Sequence, residues 1–241
     1  MIDTALLLDN PIWHSLSTRH ARFARGGELA KRFQPEIGPL AGIREQSPEA
    51  YAALENLFDP DEPAGLFLDS PPQIATGWRL RMHKPIEQMV CLRRPEEPES
   101  NVRFEPLGTR DIEEMLELTA LTEPGPFQRR TAELGGFVGI REDGRLAAMA
   151  GQRLMLPGFT EISAVCTHPD FRGRGYARLL VAAVAREIYR SGETPYLTVL
   201  QSNTGAIGVY ESVGFAVRRT LHLAILVKQA PDLDGVVGNE V

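Results

Sequence analysis

The chain has 241 residues, 43% of them hydrophobic and 24% charged, with a net charge of −6, a profile that fits a soluble globular protein of one large domain or two small ones. The acidic balance argues against a broad nucleic-acid surface, which needs clustered Lys and Arg, and it fits a cationic acceptor only loosely. Cys91 and Cys166 lie far apart and outside any CxxC spacing, which excludes a disulfide framework or a Cys-based zinc site and suggests a reducing compartment.

Met1-Ile2-Asp3-Thr4 begins no basic leader, so no signal peptide is expected. The longest apolar run, 177–185, is interrupted by Arg178 and falls far short of the ~20 residues of a membrane span. No membrane association is expected, and a cytoplasmic location is the default. Ser47-Pro48-Glu49 predicts a helix start, with Ala53, Leu54, Leu57 and Phe58 forming its apolar face. Short strands are expected at 65–68 and 88–92. Residues 1–95 are thus expected to form a small α/β unit with no legible chemistry. The charged, proline-rich stretch 93–100 reads as a linker.

From 101 to 228 the pattern becomes regular. A strand is expected at 102–107, then a helix capped by Thr109 and carrying Ile112, Met115, Leu116 and Leu118. Strands at 136–140 and 146–156 are joined by Glu142-Asp143-Gly144-Arg145, a hairpin signal. A further strand spans 160–167 and ends at His168-Pro169. The helix expected at 176–190 stops at Ser191-Gly192. A strand at 196–200, a helix at 203–213 and strands near 215 and at 221–227 follow, and 229–241 reads as a flexible tail. This order implies a mixed, largely antiparallel central sheet flanked by helices.

Arg172-Gly173-Arg174-Gly175-Tyr176-Ala177 lies between a strand and a long helix. Glycines at a helix start let the backbone approach a ligand, and the free N–H groups and helix dipole there favour an anion such as a pyrophosphate. A Rossmann loop would need Gly where Arg178 stands, and no Gly-Lys-Ser/Thr occurs for a P-loop. A turn serving chain geometry alone is the competing reading of the hexapeptide. His14, His20, His83 and His222 show no metal-ligand spacing, and no GxSxG elbow is present.

Arg172-x-x-Gly175-x-Ala177, following Glu161-Ile-Ser-Ala-Val-Cys-Thr-His-Pro, resembles the signature of the GCN5-related N-acetyltransferases (GNAT), with wording closest to the FR47-like branch. Asn203-Thr-Gly-Ala206-Ile-Gly-Val-Tyr210-Glu-Ser-Val-Gly214-Phe215 resembles that family's second block, and the strand order agrees from 102 to 227. The resemblance implies that the strands 160–167 and 196–200 splay apart around the pantetheine arm of acetyl-CoA, with Val165, Cys166 and Thr167 along it. It also implies that the Val165 N–H polarises the thioester carbonyl. The amides of Arg172, Gly173, Arg174, Gly175, Tyr176 and Ala177 would hold the pyrophosphate, and Asn203, Ala206 and Tyr210 would border the arm.

By the same resemblance Glu161 is the candidate base, acting through water because, on an unbroken strand, it would lie about 13 Å from Val165 on the same face. Its alternative is a glutamate that only binds a cation. Tyr210 is the candidate acid for the departing thiolate, packing being its alternative. Asn203 also suits the N-cap of its helix. Cys166 is expected on the face opposite Glu161, packed rather than nucleophilic.

The implied activity is transfer of acetyl from acetyl-CoA to a primary amine, of a small molecule or a protein, through a tetrahedral intermediate and without a metal. Residues 1–95 would shape the acceptor site or be a degenerate second copy of the fold, and a homodimer is allowed. The rival is a catalytically inactive acyl-CoA-binding regulatory or assembly domain. Nucleic-acid binding through Arg172-Gly-Arg-Gly finds no support in an acidic chain.

Overall fold

The computed structural model describes residues 4–97 and 100–229. The tail expected at 229–241, apart from Gln229, and two residues of the expected linker lie outside the described residues.

The N-terminal part carries α1 (Pro11–Ser17), β1 (Ala24–Gly26), β2 (Ala30–Phe33), β3 (Ala41–Ile43), α2 (Pro48–Glu55), β4 (Pro63–Leu68) and β5 (Trp78–Cys91). Strands β1–β3 make a small antiparallel sheet. Helix α2 begins as its sequence predicts, with the Ser47 side chain accepting from the Ala50 N–H at 3.3 Å. Beyond residue 100 come β6 (Glu105–Leu107), α3 (Ile112–Thr122), β7 (Phe137–Glu142), β8 (Arg145–Leu156), β9 (Phe159–Thr167), α4 (Tyr176–Arg190), β10 (Thr194–Leu200), α5 (Thr204–Val213) and β11 (Phe215–Lys228).

The main sheet has eight strands in the order β4-β11-β5-β10-β9-β8-β7-β6. Its ladders are antiparallel except for β9 beside β10, so the mixed, largely antiparallel sheet expected from the sequence is what forms. Residues before the expected linker nevertheless build part of it. β5 lies between β11 and β10, and β4 forms one edge. The strand expected at 88–92 is the end of this much longer β5, and the two strands expected after Gly214 are one continuous β11. The linker itself rests on α4, where Arg186 donates to the Pro95 carbonyl at 3.3 Å and to Glu97 at 2.7 Å.

Two faces follow from strand alternation. Ala148, Ala150, Leu197 and Val199 pack under α4 and α5, while their neighbours Met149 and Tyr196 belong to cores on the other side with α3 and α1. Helix α4 supplies Leu180, Val181, Val184 and Ile188, all essentially buried, and each contributes roughly 1.5–3 kcal/mol on burial. The β7–β8 turn has Asp143 and Gly144 both at positive φ, 51° and 79°, as a tight I′ hairpin turn requires. Thr109 does not cap α3 directly. It lies in a 3₁₀ turn before the helix, where the Asp111 carboxylate accepts from the Gly108 N–H at 2.9 Å. Among the described residues no helix is long and apolar enough to cross a membrane.

Candidate functional site

Strands β9 and β10 pair only through Thr194–Phe159, Pro195–Thr160 and Tyr196–Glu161. Beyond that point they part, and a cavity of about 510 Å³ opens between them. Ser163 to Thr167 border it from β9, and Thr198, Val199 and Leu200 from β10.

A bulge marks the divergence. Met149 faces Cys166 and Gly151 faces Ser163, so β9 carries one residue more than β8 over this interval. Ala164 absorbs it at φ 51°, a left-handed conformation that costs a residue with a Cβ roughly 1–2 kcal/mol. The bulge breaks the side-chain alternation. Ile162 and Val165 both pack toward the α4 core, while Ala164 and Cys166 pack toward α3. Glu161, one residue before Ile162, therefore lies on the face opposite Val165 and on the same face as Cys166, which corrects both placements expected for an unbroken strand.

The loop before α4 holds Gly173 at φ 79° and Gly175 at φ 77°, with open space where each Cβ would stand. Among the described residues, no backbone carbonyl accepts from the N–H groups of residues 173–178. Several main-chain donors thus converge where the dipole of a 15-residue helix begins. Arg172 borders the cavity. Arg174 is half exposed, 3.9 Å from Glu142 and 5.1 Å from the centre of the Phe171 ring. The Tyr176 hydroxyl donates to Glu142, which holds its phenol pKa above the usual value. The Tyr176 hydroxyl is therefore engaged by Glu142 beside Arg174, leaving the Tyr176 N–H as the available group.

On the other wall Asn203 caps α5, its Oδ1 accepting from the Ala206 N–H at 3.2 Å. Asn203, Ala206 and Tyr210 all border the cavity. Burial pushes the Tyr210 phenol up to about 12. Burial likewise pushes the Cys166 thiol up to about 11, keeping it protonated and a poor nucleophile at neutral pH. Of the residues expected to meet the cofactor, Val165, Cys166, Thr167, Arg172, Asn203, Ala206 and Tyr210 border the cavity, while Gly173, Arg174, Gly175, Tyr176 and Ala177 follow Arg172 in the loop and do not line it.

Glu161 is placed differently from expectation. It is fully buried and does not border the cavity. Its Oε2 accepts from Arg153 Nε at 2.8 Å, and its Oε1 from Arg153 Nη2 at 3.0 Å and from Thr198 at 2.9 Å. The carboxylate is held by a guanidinium fork and a hydroxyl, and because it is buried off the cavity it is out of reach of an amine or other cation bound there. Both roles considered for Glu161 fail for this reason. Arg153 was the residue missing from the sequence reading. It sits in a second bulge, where β8 carries the extra residue between Gln152 and Met155, and bulges re-aim side chains. Its one sequence signal was a lone Arg inside an apolar strand.

The residues 137–223 match the FR47-like protein family. The chain is 36% identical to a putative acetyltransferase from the GNAT family of Novosphingobium aromaticivorans, over 92% of this chain and 99% of that one, with a TM-score of 0.87. A GCN5-related N-acetyltransferase from Kribbella flavida shares the fold at 19% identity and a TM-score of 0.63, covering 93% of this chain and 97% of its own. A ribosomal protein bS18-alanine N-acetyltransferase of Salmonella typhimurium is 38% identical over 77 residues, 32% of this chain. That match spans about half, 51%, of the curated relative's length.

Proposed function

The chain belongs to the GCN5-related N-acetyltransferase family, in its FR47-like branch, and from that premise we propose that it transfers acetyl from acetyl-CoA directly to a primary amine. The single observation carrying this reading is the cleft between β9 and β10, opening beside the unpaired amides of residues 173–178.

In this reading the diphosphate of acetyl-CoA lies against those amides, with Arg172 adding charge. The pantetheine arm runs along residues 165–167 as an added strand would, with Asn203 and Ala206 on its other side. The Val165 N–H, on the strand that borders the cleft, is the assigned donor for the developing oxyanion. A neutral amine attacks the thioester carbonyl, forming a C–N bond and a tetrahedral intermediate. Collapse breaks the C–S bond, and the surplus amine proton passes through water to neutralise the sulfur.

Tyr210 contributes a hydrogen bond to the departing sulfur rather than its proton. With the phenol at about 12 and an ordinary thiol near 8.5, complete transfer runs uphill. Glu161 has a positioning role, holding Arg153 against the cleft. Its engagement also favours the rival reading, binding without transfer. The two separate in one experiment: calorimetry with acetyl-CoA alongside CoA release over a panel of amines. Binding with turnover supports the enzyme. Binding with no turnover on any amine supports the rival.

A further inference from the structure

The cavity continues past Arg153 to a wall assembled from three strands. Met82, Lys84 and Ile86 alternate on β5 and so share one face. Leu223 stands opposite Lys84 and Ile225 opposite Met82 on β11, and Phe67 of β4 faces Leu223. Leu40 closes over Gly65, where an added Cβ would come within 3.1 Å of its Cδ2. All these side chains border the cavity.

The wall is apolar apart from two cations. Arg153 lies 5.9 Å from the centre of the Phe67 ring. Its Nε and Nη2 are committed to Glu161, and among the described residues its Nη1 has no partner. Lys84 is exposed and has no ion-pair partner among the described residues. Because Arg153 and Glu161 cancel, Lys84 is the unpaired cation of this wall among the described residues. Glu123, exposed on the turn that ends α3, also borders the cavity.

We propose that the acceptor is an amine that also carries a carboxylate and an apolar body, an amphipathic free amino acid in chemical class. This rests on the transfer reading above and reverses the expectation, from net charge, of a cationic acceptor. A polyamine or a lysine-rich segment would set its other cations against Lys84 and Arg153, with Glu123 as the one cavity-bordering carboxylate among the described residues to receive them. A carboxylate meets Lys84 and the Arg153 Nη1, while Phe67, Met82, Ile86 and Leu223 cover the apolar body.

The test measures CoA release with L-phenylalanine, L-leucine and L-methionine, with their C-terminal amides, and with spermidine, alongside calorimetry of acetyl-CoA binding. The free acids are expected to exceed the amides and spermidine at least 10-fold in kcat/KM. Lys84→Gln is expected to narrow the acid-to-amide ratio about 10-fold, equivalent to roughly 1.4 kcal/mol, and Lys84→Arg to restore it. Amides or spermidine turned over as well as the acids would overturn the proposal, as would a Lys84→Gln variant that slows acid and amide equally. Acids left untouched by a protein that binds acetyl-CoA would overturn the acceptor class alone. Failure to bind acetyl-CoA would instead overturn the transfer reading beneath it.

Discussion

At the end proposed to hold acetyl-CoA, the cleft is built from one stretch of chain, β9, the glycine loop, α4, β10 and α5 in succession. At its far end it is built from Leu40, Phe67, Lys84, Arg153 and Leu223, brought together by the sheet from distant parts of the sequence. The first end offers mainly main-chain groups: unpaired amides at the start of α4 and the free edge of β9. The second offers side chains. Recognition by backbone tolerates wide variation in sequence, provided that glycines and caps hold the geometry. Recognition by side chains can diverge freely, which is how one fold serves many acceptors. The FR47-like match, residues 137–223, takes in the cofactor end but excludes β4 and β5, so the relatives' acceptors do not carry over.

Substitutions can break this comparison, and the largest expected effect on cofactor binding is at the loop. Gly175→Glu places a negative charge at the N-terminus of α4 and forces a side chain to φ 77°. Acetyl-CoA affinity measured by calorimetry is expected to fall more than about 100-fold, equivalent to roughly 2.7 kcal/mol. Unchanged affinity would remove the diphosphate from this loop.

Glu161→Ala should act on stability first. It leaves Arg153 charged and unpaired in the core, which costs about 3–5 kcal/mol, read as a lowered midpoint in urea. A variant of normal stability with lost turnover would instead restore Glu161 as a base. Tyr210→Phe is expected to lower kcat about 10-fold or more while leaving acetyl-CoA affinity within about 2-fold; the reverse pattern would reduce Tyr210 to packing. With its pKa raised to about 12, Tyr210 keeps its proton, so it should cause no loss of kcat between pH 7 and 10. The smallest effect belongs to Cys166→Ala, expected to keep turnover within about 3-fold and to lose about 1 kcal/mol of stability. Abolished turnover there would call for an acyl-cysteine intermediate.

The same contrast explains what the sequence revealed. The hairpin at Asp143-Gly144, the Ser47 and Asn203 caps, the stop of α4 at Gly192 and the glycine loop are local signals, each readable from a few neighbouring residues. The sheet order of β4 and β5 was not legible, because pairing across more than a hundred residues leaves no periodic trace. Residues 93–100 have a linker's composition, yet the sheet continues on both sides of them. The site's main surprise came from the bulges at Ala164 and near Arg153. Alternation assumes a regular ladder, and one inserted residue moved Glu161 to the face opposite Val165. An Ala in a left-handed conformation carries no warning in its identity.

The central claim is that the amides of residues 173–178 hold a diphosphate beside the gap between β9 and β10. A crystal structure of the protein with CoA tests it most directly. Phosphate oxygens within about 3 Å of those nitrogens, with the pantetheine arm alongside residues 165–167, is the predicted result. A nucleotide bound elsewhere, with the loop amides facing solvent, would contradict the account.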